Sequence, residues 1–301
     1  MGISRSDVGD GANGRDVGSV GKLTAIVAAM PEEMAPLRAR LAAARRLSRR
    51  SSGEIVAGEL DGASVVLAVT GTGALNARVG IAALLAAVAV ERLIVIGAAG
   101  ALSGDLPVGV LVVAELVLHA QEGESEGDAL VERADARLVE VVARATGARR
   151  GISLTTGRLA DTAFEKRRLL GLTVAATVAA EPRLAGSAAP AVVDLESAIY
   201  AAAARGAGVP WVVLRAVSDV AGEELPSLLN GSRDHGGAIR RGRVARGLLA
   251  RPRLLPQLVP ALLALRARVL GCARALDGAV TEVLKAEAVS AAARSGTCTT
   301  R

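Results

Sequence analysis

Aromatic side chains are nearly absent from this chain of 301 residues, which has one Phe, one Tyr and one Trp. Its core must therefore be aliphatic, and a surface that stacks successive nucleic-acid bases is disfavoured despite a formal charge of +6. Cysteine is almost as scarce: Cys272 and Cys298 stand apart, with no CxxC pair and no histidine at metal-ligand spacing. That argues against a disulfide framework and a structural metal, and for a reducing compartment. The only histidines are His119 and His235, and no serine sits in a GxSxG turn, so a serine-hydrolase triad and a histidine zinc site are both disfavoured. No GKS or GKT occurs, which excludes a P-loop. Uninterrupted apolar runs are short: residues 79–90 are bounded by Arg78 and Glu91, well below the roughly 20 residues that span a bilayer. The opening MGISRSDVGDGANGRDVGSVGK has no signal-peptide apolar core, so a cytoplasmic location is expected.

What the chain has in abundance is aliphatic sequence, with 51% hydrophobic residues against 22% charged. Residues 1–21 and 289–301 are too polar and small-residue-rich to offset their ordering entropy and are expected to be disordered tails. Between them, strand-like and helix-like runs alternate: LTAIVAA, then PEEMAPLRARLAAARR; EIVAGEL and SVVLAVT, then ALNARVGIAALLAAVAV; RLIVIG; VLVVAELVL; ADARLVEVVARAT; GISLTT; FEKRRLLG; AVVDL; ESAIYAAAARG; WVVLRAVS. Continuous apolar strands interleaved with helices predict a single α/β domain over residues 22–288. Its central sheet is expected to be twisted, mixed and mostly parallel, with helices on both faces. The pair EIVAGEL/DGASVVLAV, turning at Asp61-Gly62, predicts one antiparallel hairpin. Residues 226–288 form a helical C-terminal extension in which Pro252, Pro256 and Pro260 mark helix starts and limit any one continuous helix.

In an open α/β sheet ligands bind beyond the carboxyl ends of the strands. The carboxylates there are Glu32, Glu33, Asp194, Glu196 and Asp219, with Ser218 beside the last. Taken singly, Glu32, Glu33 and Glu196 are explained by helix N-termini, where an acidic residue contributes about 0.3–1 kcal/mol. GTGALN at residues 71–76 resembles a phosphate-binding turn but lacks the third glycine of a dinucleotide fingerprint.

Five colinear segments carry more than any single residue. These are AIVAAMPEEMAPLRARL, VAGELDGASVVLAVTGTGALNARVGIAALL, IVIGAAGALSGDLPVGVLVVAE, VVDLESAIYAAA and VPWVVLRAVSDVAG. Together, over about residues 23–225, the chain resembles the nucleoside phosphorylase and nucleosidase superfamily, most of all its methylthioadenosine/S-adenosylhomocysteine nucleosidases. The resemblance implies an enzyme that cleaves the N-ribosidic bond of an adenosine-type nucleoside, needs no cofactor or metal, and works as a homodimer. It implies that Glu33 handles the attacking water and that Asp219 protonates or hydrogen-bonds N7 of the leaving purine. It further implies that Glu196 binds the ribose hydroxyls, Leu195 packs on the sugar, and Arg215, Ser218 and Ala98 line the site. Gly73 and Gly97 would let backbone approach the ribose and the water. The chemistry suits these types: the ribose becomes positive and the base negative, so one carboxylate orients water while an acid, kept protonated by burial, neutralises the purine.

The sequence also departs from the family. Val95 and Ala98 stand where phosphorolytic members bind phosphate, so water is favoured over phosphate as co-substrate. Ala98 replaces a serine usual in the methylthioadenosine enzymes. In LTTGRLADTAFEKRRL, Phe164 falls several residues late for a purine-stacking ring. Beyond residue 225 the chain is longer than those enzymes, and ELPSLL with ARPRLLPQLVPALLALRARV resembles the C-terminus of hopanoid-associated phosphorylases. That implies, as an alternative, release of adenine from an adenosyl-lipid, with residues 240–253 touching a membrane surface through arginines. A phosphorolytic nucleoside phosphorylase and a non-catalytic nucleoside-binding module are the remaining alternatives.

Overall fold

A computed structural model describes residues 23–49, 53–120, 130–185, 189–234 and 237–296. Residues 1–21, where a disordered tail is expected, lie outside the described residues. In chain order the elements are β1 (Leu23–Ala28), α1 (Pro31–Arg40), β2 (Ala42–Arg49), β3 (Glu54–Leu60), β4 (Ala63–Val69), α2 (Ala74–Ala87), β5 (Val90–Ala101), β6 (Leu111–His119) and β7 (Leu130–Arg133). They continue as α3 (Ala136–Thr146), β8 (Arg149–Thr155), α4 (Ala163–Ala180), α5 (Pro182–Ala185), β9 (Ala191–Asp194), α6 (Ser197–Gly206), β10 (Trp211–Asp219), α7 (Leu228–Gly231), α8 (Arg241–Leu249) and α9 (Leu255–Gly296).

The central strands are buried on both faces, and the period of two sorts their side chains into two layers. Ile26, Ile94, Ile96, Val212 and Leu214 face one layer, covered by Met34 and Leu37 of α1, Leu138 and Val142 of α3, and Leu276 and Val280 of α9. Ala25, Val27, Leu93, Val95 and Val213 face the other, covered by Ala77 and Ile81 of α2 and Tyr200 and Ala204 of α6. This two-sided burial is why those strands read as unbroken apolar runs in the sequence.

The strands form one mixed sheet with the order β10-β6-β8-β9-β5-β1-β4-β3-β2, and β10 also pairs with β5. Five of these strands, β5, β9, β8, β6 and β10, therefore close into a ring, from which β1, β4, β3 and β2 extend as an open wing. The wing's core is parallel, β5 with β1 and β1 with β4. The ring mixes parallel pairs (β5–β10, β6–β8, β8–β9) with antiparallel ones (β10–β6, β5–β9). The expected hairpin is present as β3–β4, turning through Asp61 and Gly62, both at positive φ.

Strand β5 is the branch point. Its pairing with β1 ends at Val95, and β9 joins it only at Gly100. Residues 96–99 thus have β10 on one flank and no strand on the other, which leaves backbone donors there for something else to satisfy.

Two local readings are corrected. The helix expected over residues 31–46 stops at Arg40; residues 42–49 pair with β3 as an edge strand with two register irregularities. Alanine and arginine favour helix intrinsically, but the open edge of β3 supplies hydrogen bonds that propensity cannot reveal. The prolines do not limit the terminal helix either. Pro252 opens a 3₁₀ turn, Pro256 lies in the first turn of α9, and the helix runs past exposed Pro260 to Gly296, beyond the expected boundary at 288. Its length and apolar composition would suit a membrane span. Yet Cys272, Leu276, Val280 and Val283 are buried against the sheet, and that packing outweighs one missing donor near an exposed helix end. Leu276→Ala should therefore cost about 2–5 kcal/mol in urea unfolding; an unchanged midpoint would show that α9 is not part of the core.

Candidate functional site

Glu33 is the third residue of α1, and its buried carboxylate joins two elements. Oε2 accepts from the Met30 amide at 2.9 Å, capping its own helix. Oε1 accepts from the Ala98 amide at 2.8 Å, one of the donors left open where β1 and β9 part along β5. Gly97 lies against the same group: a β-carbon there would overlap the Arg215 guanidinium and come within 3.0 Å of Glu33 Oε1.

The β9–α6 junction is organised by Asp194. It accepts from Ser153 Oγ (2.6 Å), Thr155 Oγ1 (2.8 Å), the amides of Glu196 and Ser197 (3.1 and 3.0 Å) and Arg215 Nε (3.1 Å). Burial works against its charge, but the Arg215 guanidinium and the hydroxyl donors prevail and hold its carboxyl below the usual range. Asp194 is thus a structural anchor.

Glu196 is buried and points the other way. Its Oε1 accepts from the amide of Gly73 at 2.7 Å. Gly73 precedes α2 at φ +88°, a conformation for which glycine is suited. Burial, opposed by that one amide and aggravated by Asp194, pushes the Glu196 carboxyl up to about 7, so it changes charge near neutrality. Burial also raises Glu33, although Arg215 and three backbone amides counter it.

Asp219 ends β10. Its Oδ1 accepts from Ser218 Oγ at 2.6 Å, and its Oδ2 accepts from Lys166 Nζ at 2.5 Å. Lys166 is completely buried. Burial is therefore not the only influence on this carboxyl group, which has a buried ammonium against its inner oxygen.

Glu33, Glu196, Leu195, Ala98, Ser218 and Asp219 line one cavity that encloses about 190 Å³ of solvent-sized space. The other three expected contact residues stand behind its wall. Arg215 is buried with its side chain turned to Asp194 and Ser197 (Nη2 to Oγ 2.6 Å). Gly97 and Gly73 make room for Arg215 and hold Glu196, respectively. Their placement has one physical reason: a cluster of buried carboxylates needs a counter-charge and amide donors before it can face a ligand.

Several wall residues went unread in the sequence. Thr156, Leu159 and Ala160 form one side, and Leu225 with Leu229, Ile239, Leu265 and Val269 of the C-terminal extension forms another. Asn230 of α7 bonds both backbone groups of Leu159, at 3.0 and 2.8 Å, so the extension fixes this loop. No aromatic ring lines the cavity among the described residues: Tyr200 and Trp211 are core, and Phe164 is 74% exposed. Lys166 was missed as well, though a signal existed. It lies on the helical stripe of Leu169, Thr173 and Ala176, which is the buried face of α4. Among the described residues no group of three or more His, Cys, Asp and Glu side chains is arranged to hold a metal.

The chain has recognisable relatives among known proteins. A family model described as "Phosphorylase superfamily" matches residues 24–249. The curated 5′-methylthioadenosine/S-adenosylhomocysteine nucleosidase of Geobacillus kaustophilus is 32% identical over 211 residues, 66% of this chain and 85% of that protein. The enzyme of the same name from Geobacillus thermodenitrificans is 31% identical over the same shares. Among solved structures, the Neisseria meningitidis nucleosidase in complex with methylthio-immucillin-A aligns with a TM-score of 0.62 at 21% identity, over 88% of this chain and 99% of that one. Futalosine hydrolase of Helicobacter pylori aligns with a TM-score of 0.62 at 16% identity, over 88% and 97%; at these identities the structural likeness speaks for the fold.

The raised carboxyl of Glu196 has a testable consequence. Its folded value, about 7, lies above the ordinary 4.5, so the native state holds a proton that the unfolded chain has released. Its contribution to stability is complete below pH 4.5 and is lost as pH rises through 7. Glu196→Gln should thus raise the melting temperature relative to the unsubstituted chain in mildly alkaline buffer more than in acid; an equal shift at both would contradict it.

Proposed function

Because the chain belongs to the phosphorylase superfamily, we propose that it is a purine nucleosidase, hydrolysing the N-ribosidic bond of an adenosine-type nucleoside and releasing adenine. The observation that carries this reading is the meeting of Glu33, Glu196 and Asp219 in one cavity at the strand ends. Methylthioadenosine and S-adenosylhomocysteine are the first candidate substrates, by likeness to the curated relatives.

In this mechanism Glu33, fixed by the amides of Met30 and Ala98, orients a water against C1′ and takes its proton. Glu196 holds the ribose hydroxyls, and a carboxyl near 7 can both donate and accept. Leu195 packs on the sugar. Asp219, held by Ser218, faces N7 of the purine as the C1′–N9 electron pair passes to the base. The purine rests on Leu159 and Ala160 instead of a ring.

A second reading, an adenosyl-lipid substrate, is supported by the aliphatic wall of Leu225, Leu229, Ile239, Leu265 and Val269, which suits an apolar 5′ substituent. Peripheral membrane contact belongs with it. Leu249, 79% exposed, lies in sequence among Arg243, Arg246, Arg251 and Arg253, and Leu263 of α9 is 58% exposed. Homodimerisation is supported by exposed Leu75 and Val79 on α2, next to the cavity's Thr72. A cytoplasmic setting agrees with Cys272 being a free, buried thiol.

Purified protein incubated with methylthioadenosine, S-adenosylhomocysteine and inosine should release adenine from the first two, at the same rate with or without phosphate. Glu33→Gln should lower kcat by about 10²–10⁴; no free base from any nucleoside, with binding retained, would make the chain a binding module. For the surface readings, a solution mass twice 30.3 kDa and co-sedimentation with phosphatidylglycerol vesicles but not phosphatidylcholine vesicles are expected. A single-chain mass, or sedimentation with neither vesicle, would remove the corresponding reading.

A further inference from the structure

The pairing of Lys166 with Asp219, behind the cavity wall, is a feature that the mechanism above does not use. The ammonium spends all three donors inside the protein, on Asp219 Oδ2 (2.5 Å), the Val220 carbonyl (2.8 Å) and the Glu223 carbonyl (3.1 Å). Its side chain is 0% exposed and that of Asp219 is 4% exposed. Burying such a pair carries a large desolvation cost, and an apolar side chain on the α4 stripe would avoid it. The neighbouring charges are already engaged. Glu223 takes Arg268 through two contacts of 2.6 Å, Glu165 on the same helix takes Arg158 at 2.7 Å, and Cys272 Sγ donates to the Val217 carbonyl. Lys166 therefore has Asp219 as its counter-charge.

We propose that Lys166 is a positioning residue that acts through Asp219, supplying the proton that the leaving purine takes at N7. This rests on the reading of Asp219 as the group at N7. An anionic carboxylate can accept a hydrogen bond from N7–H but has no proton to give. The ammonium beside it does. As the C1′–N9 bond breaks, its electron pair goes to the purine; a proton passes from Nζ to the carboxylate and from the carboxyl to N7. The carboxylate is restored, the amine is left neutral, and adenine departs neutral. Water meanwhile forms the O–C1′ bond and gives one proton to Glu33. Return of a proton to Lys166 from solvent, and loss of one from Glu33, completes the cycle.

The test is Lys166→Met, which keeps the length of the side chain and removes the proton source. With methylthioadenosine as substrate, kcat near neutrality should fall about 100-fold, the scale of general-acid catalysis, while KM changes little. In acid buffer kcat should recover most of that loss, because Asp219, no longer paired with an ammonium, can take its proton from water. A kcat equal to that of the unsubstituted chain, or a loss of the same size at every pH, would overturn the proposal. If Lys166→Met does not fold, Lys166→Arg keeps the charge but not a proton it can release. It should lose kcat comparably, and full activity in it would be equally decisive against the relay. Should the unsubstituted chain release no adenine, the nucleosidase reading fails and this one with it; an active chain beside an equally active variant removes only the relay.

Discussion

The site depends on one buried guanidinium. Arg215 sits inside the sheet with Asp194 and Ser197 as its bonded partners and with Glu33 and Glu196 close enough to feel its charge. One cation cannot satisfy three carboxylates in a medium that solvates none of them well. The competition sorts them. Asp194, in direct contact and supplied with hydroxyl and amide donors, is held low, whereas Glu33 and Glu196, which Arg215 reaches only through space, are both raised, Glu196 to about 7. Geometry thus separates one carboxylate held ionised from two that burial pushes toward the neutral form.

That geometry follows from the sheet. Because β1 leaves β5 at Val95 and β9 arrives at Gly100, a short stretch of β5 has unpaired backbone on one flank. Glu33 meets the Ala98 amide there, and Gly97 leaves space for Arg215. The closed ring of β5, β9, β8, β6 and β10 brings Asp194 and Asp219 to the same end, although they stand 25 positions apart in the chain. The extension then closes the outer wall through Asn230 and the inner stripe of α9.

Much of this was readable in the sequence. The apolar strands and the positions of Glu33, Glu196, Ser218 and Asp219 at strand ends follow from periodicity and motif. What was not readable is of two kinds. The edge strand over residues 42–49 and the unbroken α9 are tertiary outcomes, in which pairing and packing override local propensity. The roles of Arg215, Gly73 and Gly97 could be named but not placed, since a motif does not distinguish a residue that touches ligand from one that supports its neighbour. Lys166 is legible in principle, as a charge on an apolar stripe, but helices commonly carry lysine on a solvated face, and only the structure shows this one buried against a partner.

The central claim is that water held by Glu33 is the nucleophile in this cavity. Turnover of methylthioadenosine in ¹⁸O-labelled water, with phosphate present, tests it most directly. The account predicts one labelled oxygen at C1 of the released sugar and unlabelled adenine. An unlabelled sugar 1-phosphate would contradict it.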